Sequence, residues 1–528
     1  MREFSWRRLA AGMIMFALAA CGICEAQQVT ADSGATLRLT TTLVFLDVTV
    51  LDKDGHPVTS GLTKEDFAVT EDGKQQPIFS FERADEHVAS GPADDDDLAG
   101  KAPMTILVLD QLNDSVEEFT PMQKAAHDWL AAQPAVLPAP VEVLVIGNTS
   151  LEMVQGFTRS RDDLLFAVDH VPPVNAFKLD KGDFDGERAK QSLDALVQIA
   201  LQNRGVPGRK NILWLGRGGP NLSRAGYGVL LDRWSQYVHA VANLMVDARV
   251  SMFMVFPQLK VVSTNGSITQ TDRDANYGNN NPFTHDVNFA LLSKETGGAL
   301  FYNRNDLSTE IRESSELGAN YYTLTYRPAN NNDDGNFRAV KVSVRNKNYR
   351  VVTKIGYFAL PKNAPDPQQQ TGLDLIEAAQ STIPMNTVEM QISDVVRHPD
   401  ARTAQFILHL KPKHLGWVAD ANGTKTANLT VALFSLSGSR KILATRFETV
   451  SLHSTATDPT KLEEAVRIRL TARLPNKTKQ VRVELKTSEG SRVAGTDLDW
   501  KTLEAAPETA ITAPAATASA PGPAQSSN

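Results

Sequence analysis

The run from Met104 to Asp110 is apolar at nearly every position and ends on a carboxylate, and helical spacing begins soon after it. A continuous apolar run of this length reads as a strand buried on both faces, as in a parallel sheet. The same order recurs down the chain. Val116 to Ala132 is predicted as a helix, Val141 to Ile146 as a strand, and Leu151 to Gln155 as its antiparallel neighbour. Leu193, Leu196, Val197, Ala200 and Leu201 share one helical face, and Asn211 to Leu215 is the next buried strand. Trp234, Val238, Val241, Met245 and Ala248 form a second stripe, followed by strand Val250 to Val255, a helix near Val287 to Glu295, strand Ala299 to Tyr302 and helix Asp306 to Leu317. Alternating β and α elements predict an α/β fold over residues 103–320, a doubly wound, mostly parallel sheet with helices on both faces. In such sheets ligands sit outside the carboxyl ends of the strands, so Asp110 stands where a site would be built.

On either side the apolar period shortens to two. Leu43 to Leu51, Phe67 to Glu71 and Ile78 to Phe81 predict a small β module over residues 40–85, too thin to stand alone. Tyr321 to Arg327, Phe337 to Val344 and Tyr349 to Thr353 alternate in the same way, so residues 321–356 are expected to complete a small sandwich with it. Residues 357–380, with prolines and three consecutive glutamines, read as a linker. Six further strand patterns between Val388 and Thr487 predict a C-terminal β-sandwich of Ig or fibronectin-like type over residues 381–502, and residues 503–528 a disordered tail. The acidic run Asp94 to Asp97 lacks the spacing of a calcium loop and reads as solvated linker, while Val261 to Asn281 reads as a long surface loop.

Length changes the picture first: 528 residues exceed one core and imply roughly three or four folded units. A net charge of -7 with scattered Lys and Arg gives no basic face for nucleic acid. At the N-terminus, Arg2, Arg7 and Arg8 precede the apolar run Leu9 to Ala20, a pattern that predicts a signal peptide over residues 1–26. Two cleavage readings stay open. Leu18 to Cys21 resembles a bacterial lipobox, which makes Cys21 a lipidation site and the chain an envelope lipoprotein; cleavage after Ala26 gives a soluble periplasmic or secreted chain. Membrane contact is expected only through that anchor. Both cysteines lie in this segment, so disulfides within the mature chain are excluded.

Enzyme signatures are missing. The ten histidines show no zincin pairing and no Gly-x-Ser-x-Gly elbow follows a strand. The pairs His127 with Asp128 and His285 with Asp286 are neighbours in sequence, which rarely face each other and read as helix surface. Gly216 to Gly219 follows a buried strand but lacks the Lys-Ser/Thr ending of a phosphate loop, so it reads as a turn.

Three passages together resemble a family, the VWFA-related domain proteins of acidobacteria: Leu62 to Phe67 with Thr70 to Pro77, then Gly208 to Trp214, then Thr296 to Gly298 with Tyr321 to Pro328. The likeness covers roughly residues 40 to 360 and implies an exported protein with a von Willebrand factor A fold. Such folds usually bind proteins, often through a magnesium-like ion held by an Asp-x-Ser-x-Ser run, a Thr and a distant Asp. Asp110 matches the first position. Leu112 replaces the first Ser, Asp114 takes the place of the second, Arg217 lies where the distant Asp should follow, and no Thr loop is readable. Asp180, Asp183 and Asp185 precede a helix and read as loop and N-cap residues. The resemblance thus implies a degenerate ion site with Asp110 and Asp114 as metal candidates, and either no cofactor or a weakly bound magnesium or calcium ion. Asn113, Ser115 and Arg217 are candidates for contact with a protein partner in the envelope or extracellular matrix. The expected function is a non-enzymatic adhesion or protein-interaction module. The alternatives are a metal-free envelope scaffold that binds through its C-terminal sandwich, and third, a hydrolase of envelope polymers.

Overall fold

The computed structural model describes residues 43–87, 102–174, 185–219, 230–256, 289–302, 306–360, 364–398, 402–420, 423–462, 464–507 and 518–519. Cys21, Asp94 to Asp97, Asp180, Asp183, Val261 to Asn281 and the pair His285 with Asp286 lie outside them.

The strands are β1 Val44–Leu51, β2 Phe67–Glu71, β3 Lys74–Gln76, β4 Ile78–Glu82, β5 Met104–Asp110, β6 Val136–Ile146, β7 Leu151–Ser160, β8 Lys210–Leu215, β9 Val250–Phe256, β10 Leu300–Tyr302, β11 Tyr322–Tyr326, β12 Phe337–Val344, β13 Arg350–Val352 and β14 Gly356–Phe358. Interleaved with them are helices α1 Val116–Ala131, α2 Arg161–Asp169, α3 Asp185–Asn203, α4 Leu230–Asp247, α5 Phe289–Glu295 and α6 Leu307–Ala319.

A six-stranded sheet in the order β10-β9-β8-β5-β6-β7 forms the centre. Every pairing in it is parallel except β6 with β7. All residues of β5, β8 and β9 are buried, which is why their sequences are apolar at most positions rather than alternating. Their side chains divide by parity. Leu107, Leu109, Leu213, Leu215, Phe253 and Val255 pack with Phe119 and Met122 of α1, Leu164 of α2 and Ile311 of α6. Ile106, Val108, Ile212, Trp214, Met252 and Met254 pack on the other face with Leu193 and Leu196 of α3, Val241 and Met245 of α4, and Phe289 of α5. The strand order reverses between β5 and β8, so Asp110 and the loop after Leu215 flank the crevice where doubly wound sheets place their ligands.

Two four-stranded sheets, β13-β1-β11-β4 and β14-β12-β2-β3, interleave residues 44–82 with 322–358 around Leu46, Val48, Val69, Tyr322, Leu324 and Tyr326. This sandwich is tied to the amino-terminal ends of β8 and β9, away from Asp110. Buried Arg209 donates to Thr49 Oγ1 at 3.4 Å, Ser251 Oγ at 3.1 Å and the Gly297 carbonyl at 2.9 Å. Against the penalty of burial, Arg249 holds the Asp47 carboxyl below its usual range.

The stretch expected as a linker, residues 357–380, is structured over 357–358 and 367–380. It begins inside β14, where Phe337 pairs with Phe358, and continues as helix α7, Pro367–Gln380. Asp366 caps the helix by accepting from the Gln369 amide at 2.8 Å, and Pro367 occupies the first turn, where its missing N–H costs nothing. Leu375, Ala378 and Ala379 are buried between the central domain and the C-terminal sheets, in one cluster with Leu196, Phe434 and Val493. Asp374 accepts from Arg204 at 2.7 Å and from Lys486 at 2.6 Å, one partner on each side of the helix. Arg440 and Arg482 both donate to the Ser381 carbonyl at 2.9 Å, which places two cations at the negative end of the helix dipole.

The C-terminal part contains β15 Met390–Arg397, β16 Thr403–Leu410, β17 Val418–Ala419, β18 Lys425–Leu436, β19 Ile442–Ser454, β20 Val466–Arg473, β21 Gln480–Thr487 and β22 Val493–Asp499. They form two antiparallel sheets around a core that includes Phe406, Leu408, Leu429, Ile468 and Val483. The tail expected as disordered from residue 503 is corrected at its start: helix α8, Trp500–Ala505, buries Leu503 completely in this core. No helix among the described residues is long and apolar enough to cross a membrane.

Candidate functional site

Asp110 ends β5 and is fully buried. Its Oδ1 accepts from the backbone amides of Leu112 at 3.0 Å and Asn113 at 2.9 Å and from Asn113 Nδ2 at 3.2 Å. Its Oδ2 accepts from Trp214 Nε1 at 2.9 Å, the Gly218 amide at 3.0 Å and Asn113 Nδ2 at 3.0 Å. Asn113 Nδ2 also reaches Ser192 Oγ on α3 at 3.0 Å. Burial pushes the Asp110 carboxyl upward, and these donors oppose that push.

The loop after β8 closes on this carboxylate because Gly216 carries no side chain. Gly216 has φ +145°, and a Cβ there would lie 2.3 Å from both Asp110 Cβ and Asp114 Oδ2. Only glycine combines that backbone with that approach. Leu112, at the position of the missing Ser, turns away into the apolar core and is 2% exposed.

Ser115 caps α1, its hydroxyl accepting from the Glu118 amide at 3.3 Å while Glu118 Oε2 accepts from the Ser115 amide at 2.8 Å. The other carboxylate oxygen of Glu118 takes the Arg217 guanidinium, whose Nε also lies 3.6 Å from Asp114 Oδ1. Arg217 keeps about 20% of its side chain exposed, against 1% for Asp114. Burial first, then the negative charges of Asp110 and Glu118, push the Asp114 carboxyl well above its ordinary range against the pull of Arg217.

Asp110, Asn113, Asp114, Ser115 and Arg217 are therefore gathered at one edge. Asp185 starts α3, on the same side of the sheet as Trp214. The sequence pattern gave Trp214, Ser192 and Glu118 no role at this edge. The spacing of Ser115 and Glu118, a capping-box signature, was the one available signal for Glu118; a tryptophan in a buried strand looks like core.

As arranged, Asp110 offers no free oxygen to a magnesium or calcium ion. Such ions require oxygen ligands, and both oxygens of Asp110 are surrounded by N–H groups whose positive ends would repel a cation. Among the described residues no group of three or more His, Cys, Asp or Glu is placed to hold a metal.

A second concavity of about 350 Å³ opens at the end of the C-terminal sandwich, lined in part by Lys413, His414, Trp417, Thr460, Glu489 and Arg492. Trp417 is fixed by its indole N–H, which donates to the Pro412 carbonyl at 2.9 Å.

No family model matches the chain, and no curated protein matches it. Solved structures with partial likeness include the VWA domain of SpRpn10, at 14% identity over 41% of this chain and 97% of that one, with a TM-score of 0.23. An aspartate-to-alanine mutant of the PilB minor pilin from Streptococcus sanguinis is 11% identical over 42% of this chain and 62% of that one, TM-score 0.27. Manganese-loaded TRAP protein from Plasmodium vivax is 11% identical over 49% of this chain and 95% of that one, TM-score 0.23.

Proposed function

We propose that the chain is an exported protein-interaction module of the von Willebrand factor A-like, VWFA-related type, and that it binds a protein of the cell envelope or matrix at the sheet edge around Asp110. The observation that carries the reading is the switch-point cluster itself. Asp110 at the end of β5 is tied to Trp214 and Gly218 of β8 and its following loop, so the edge is rigid and Asn113, Ser115 and Arg217 are presented from fixed backbone. Rigid scaffolds with polar groups at one rim suit recognition, since little ordering entropy remains to be lost. Affinity capture with Glu117→Lys, an exposed change in the first turn of α1, tests it. Loss of the partner supports the upper edge, and unchanged capture contradicts it.

The second reading, a scaffold that binds through its C-terminal sandwich, is favoured by the concavity at Trp417. There Trp417→Ala would abolish capture that Glu117→Lys leaves intact.

A further inference from the structure

We infer that Arg217 is the resident cation of the upper site, a tethered replacement for a divalent ion, and that this face is built to work without metal. Three carboxylates, Asp110, Asp114 and Glu118, come from one strand end and the first turns that follow it. Left alone, such a group of buried acids would need a counter-charge. The chain supplies it from β8's loop, at the position where the resemblance would place an acidic ligand. The guanidinium pairs with Glu118 and approaches Asp114, both of them buried carboxylates. Asp110 is meanwhile satisfied by neutral donors, the Trp214 indole, the Gly218, Leu112 and Asn113 amides and the Asn113 side chain. Asp110 and Glu118 are thus hydrogen-bonded by protein donors, and Asp114 has the guanidinium 3.6 Å from Oδ1 as its counter-charge while its Oδ2 accepts no hydrogen bond among the described residues.

The two devices depend on each other. Gly216 lets the loop close on Asp110, and the same closure brings Gly218 N–H to Asp110 and the Arg217 side chain to Glu118. A guanidinium offers donors in a rigid plane and stays charged at all physiological pH, so it neutralises without dissociating. A loosely held ion would exchange with solvent; a side chain tethered between Gly216 and Gly218 does not leave. The inference rests on the same edge as the proposed function, but it concerns what holds that edge together and its readouts need no partner.

The test uses the full chain. Thermal unfolding is followed in EDTA and in millimolar magnesium, calcium or manganese, and manganese binding is read by electron paramagnetic resonance. The expected result is an unfolding temperature that does not move between EDTA and any ion, with no loss of the free manganese signal on adding protein. Arg217→Met, which keeps an unbranched apolar stem but not the charge, is expected to lower the unfolding temperature by roughly 5–10 °C, and Arg217→Lys by less. Saturable manganese binding that Asp110→Asn abolishes would overturn the inference, as would an Arg217→Met chain as stable as the parent. Should Arg217→Met fail to fold, the manganese measurement on the parent chain decides alone.

Discussion

Trp214 donates its indole N–H to the Asp110 carboxylate at 2.9 Å, joining the ends of the two adjacent strands between which the sheet reverses its order. Both residues are fully buried. Trp214→Phe keeps most of the ring in the core but leaves Asp110 Oδ2 one donor short. It is expected to cost about 1–3 kcal/mol, read as a lower denaturation midpoint with an unchanged slope. A midpoint like the parent's would show that the indole bond is dispensable.

Gly216→Ala should be among the most damaging single changes near the site. The added methyl would overlap Asp110 and Asp114 at 2.3 Å, on a backbone with φ +145°. Asp110 Cβ is fixed to its backbone, so the loop must move, at an expected cost of about 3 kcal/mol or more. Gly55→Ala is the control, with φ +88° and nothing within 4 Å of the new methyl. It should cost only about 1 kcal/mol. Equal losses in equilibrium unfolding would refute the close approach.

Helix α7 should behave as a splint between the central and C-terminal parts rather than as a hinge. Asp374 is paired on both sides and buried, so Asp374→Ala strips Lys486 of its carboxylate and leaves Arg204 with Asp247 alone, and is expected to cost about 3 kcal/mol. Limited proteolysis should then cut within residues 360–386 of the variant but not of the parent. A fragment beginning at residue 381 is expected to aggregate, because it bares Phe434, Leu436 and Val493. Persistence of that fragment as a soluble folded monomer would contradict the splint.

Glu142 lies in the middle of the sheet beside Gln202, and burial pushes its carboxyl up to about 8 against the hydrogen bond from that amide. Its folded value is above its unfolded value, so the folded state holds the proton more tightly. Stability from this group is present at low pH and is lost as pH rises from about 4.5 to about 8, by an amount on the order of 5 kcal/mol. Glu142→Gln removes that slope, and its advantage over the parent in denaturant titrations should grow across this interval. An advantage independent of pH would rule the explanation out.

How much of this was legible depends on the kind of signal. Strand β5 and the position of Asp110 at its end could be read because burial on both faces leaves an unbroken apolar run. Strands such as β2 and β12 showed their alternation because one face of each is covered more fully than the other. Helix α7 was hidden by composition. Its Asp366 and Pro367 are a cap and a first-turn proline, yet beside three glutamines they resemble a linker. The partners of Asp110 were hidden for another reason: which way an indole N–H points, and how closely a glycine loop approaches, are facts of three-dimensional packing. Arg217 was visible as a charge of the wrong sign, but its pairing with Glu118 required the fold to bring residues 99 positions apart together.

The most direct test of the account places a photo-cross-linking residue at Thr149, exposed in the loop after β6 on the Asp110 edge, and in a second chain at Thr460, beside the concavity of the C-terminal sandwich. Both are irradiated in the cells that make the protein. The account predicts one specific protein adduct from Thr149, retained in EDTA, and none from Thr460. An adduct from Thr460 alone would contradict it and move the interaction to the sandwich.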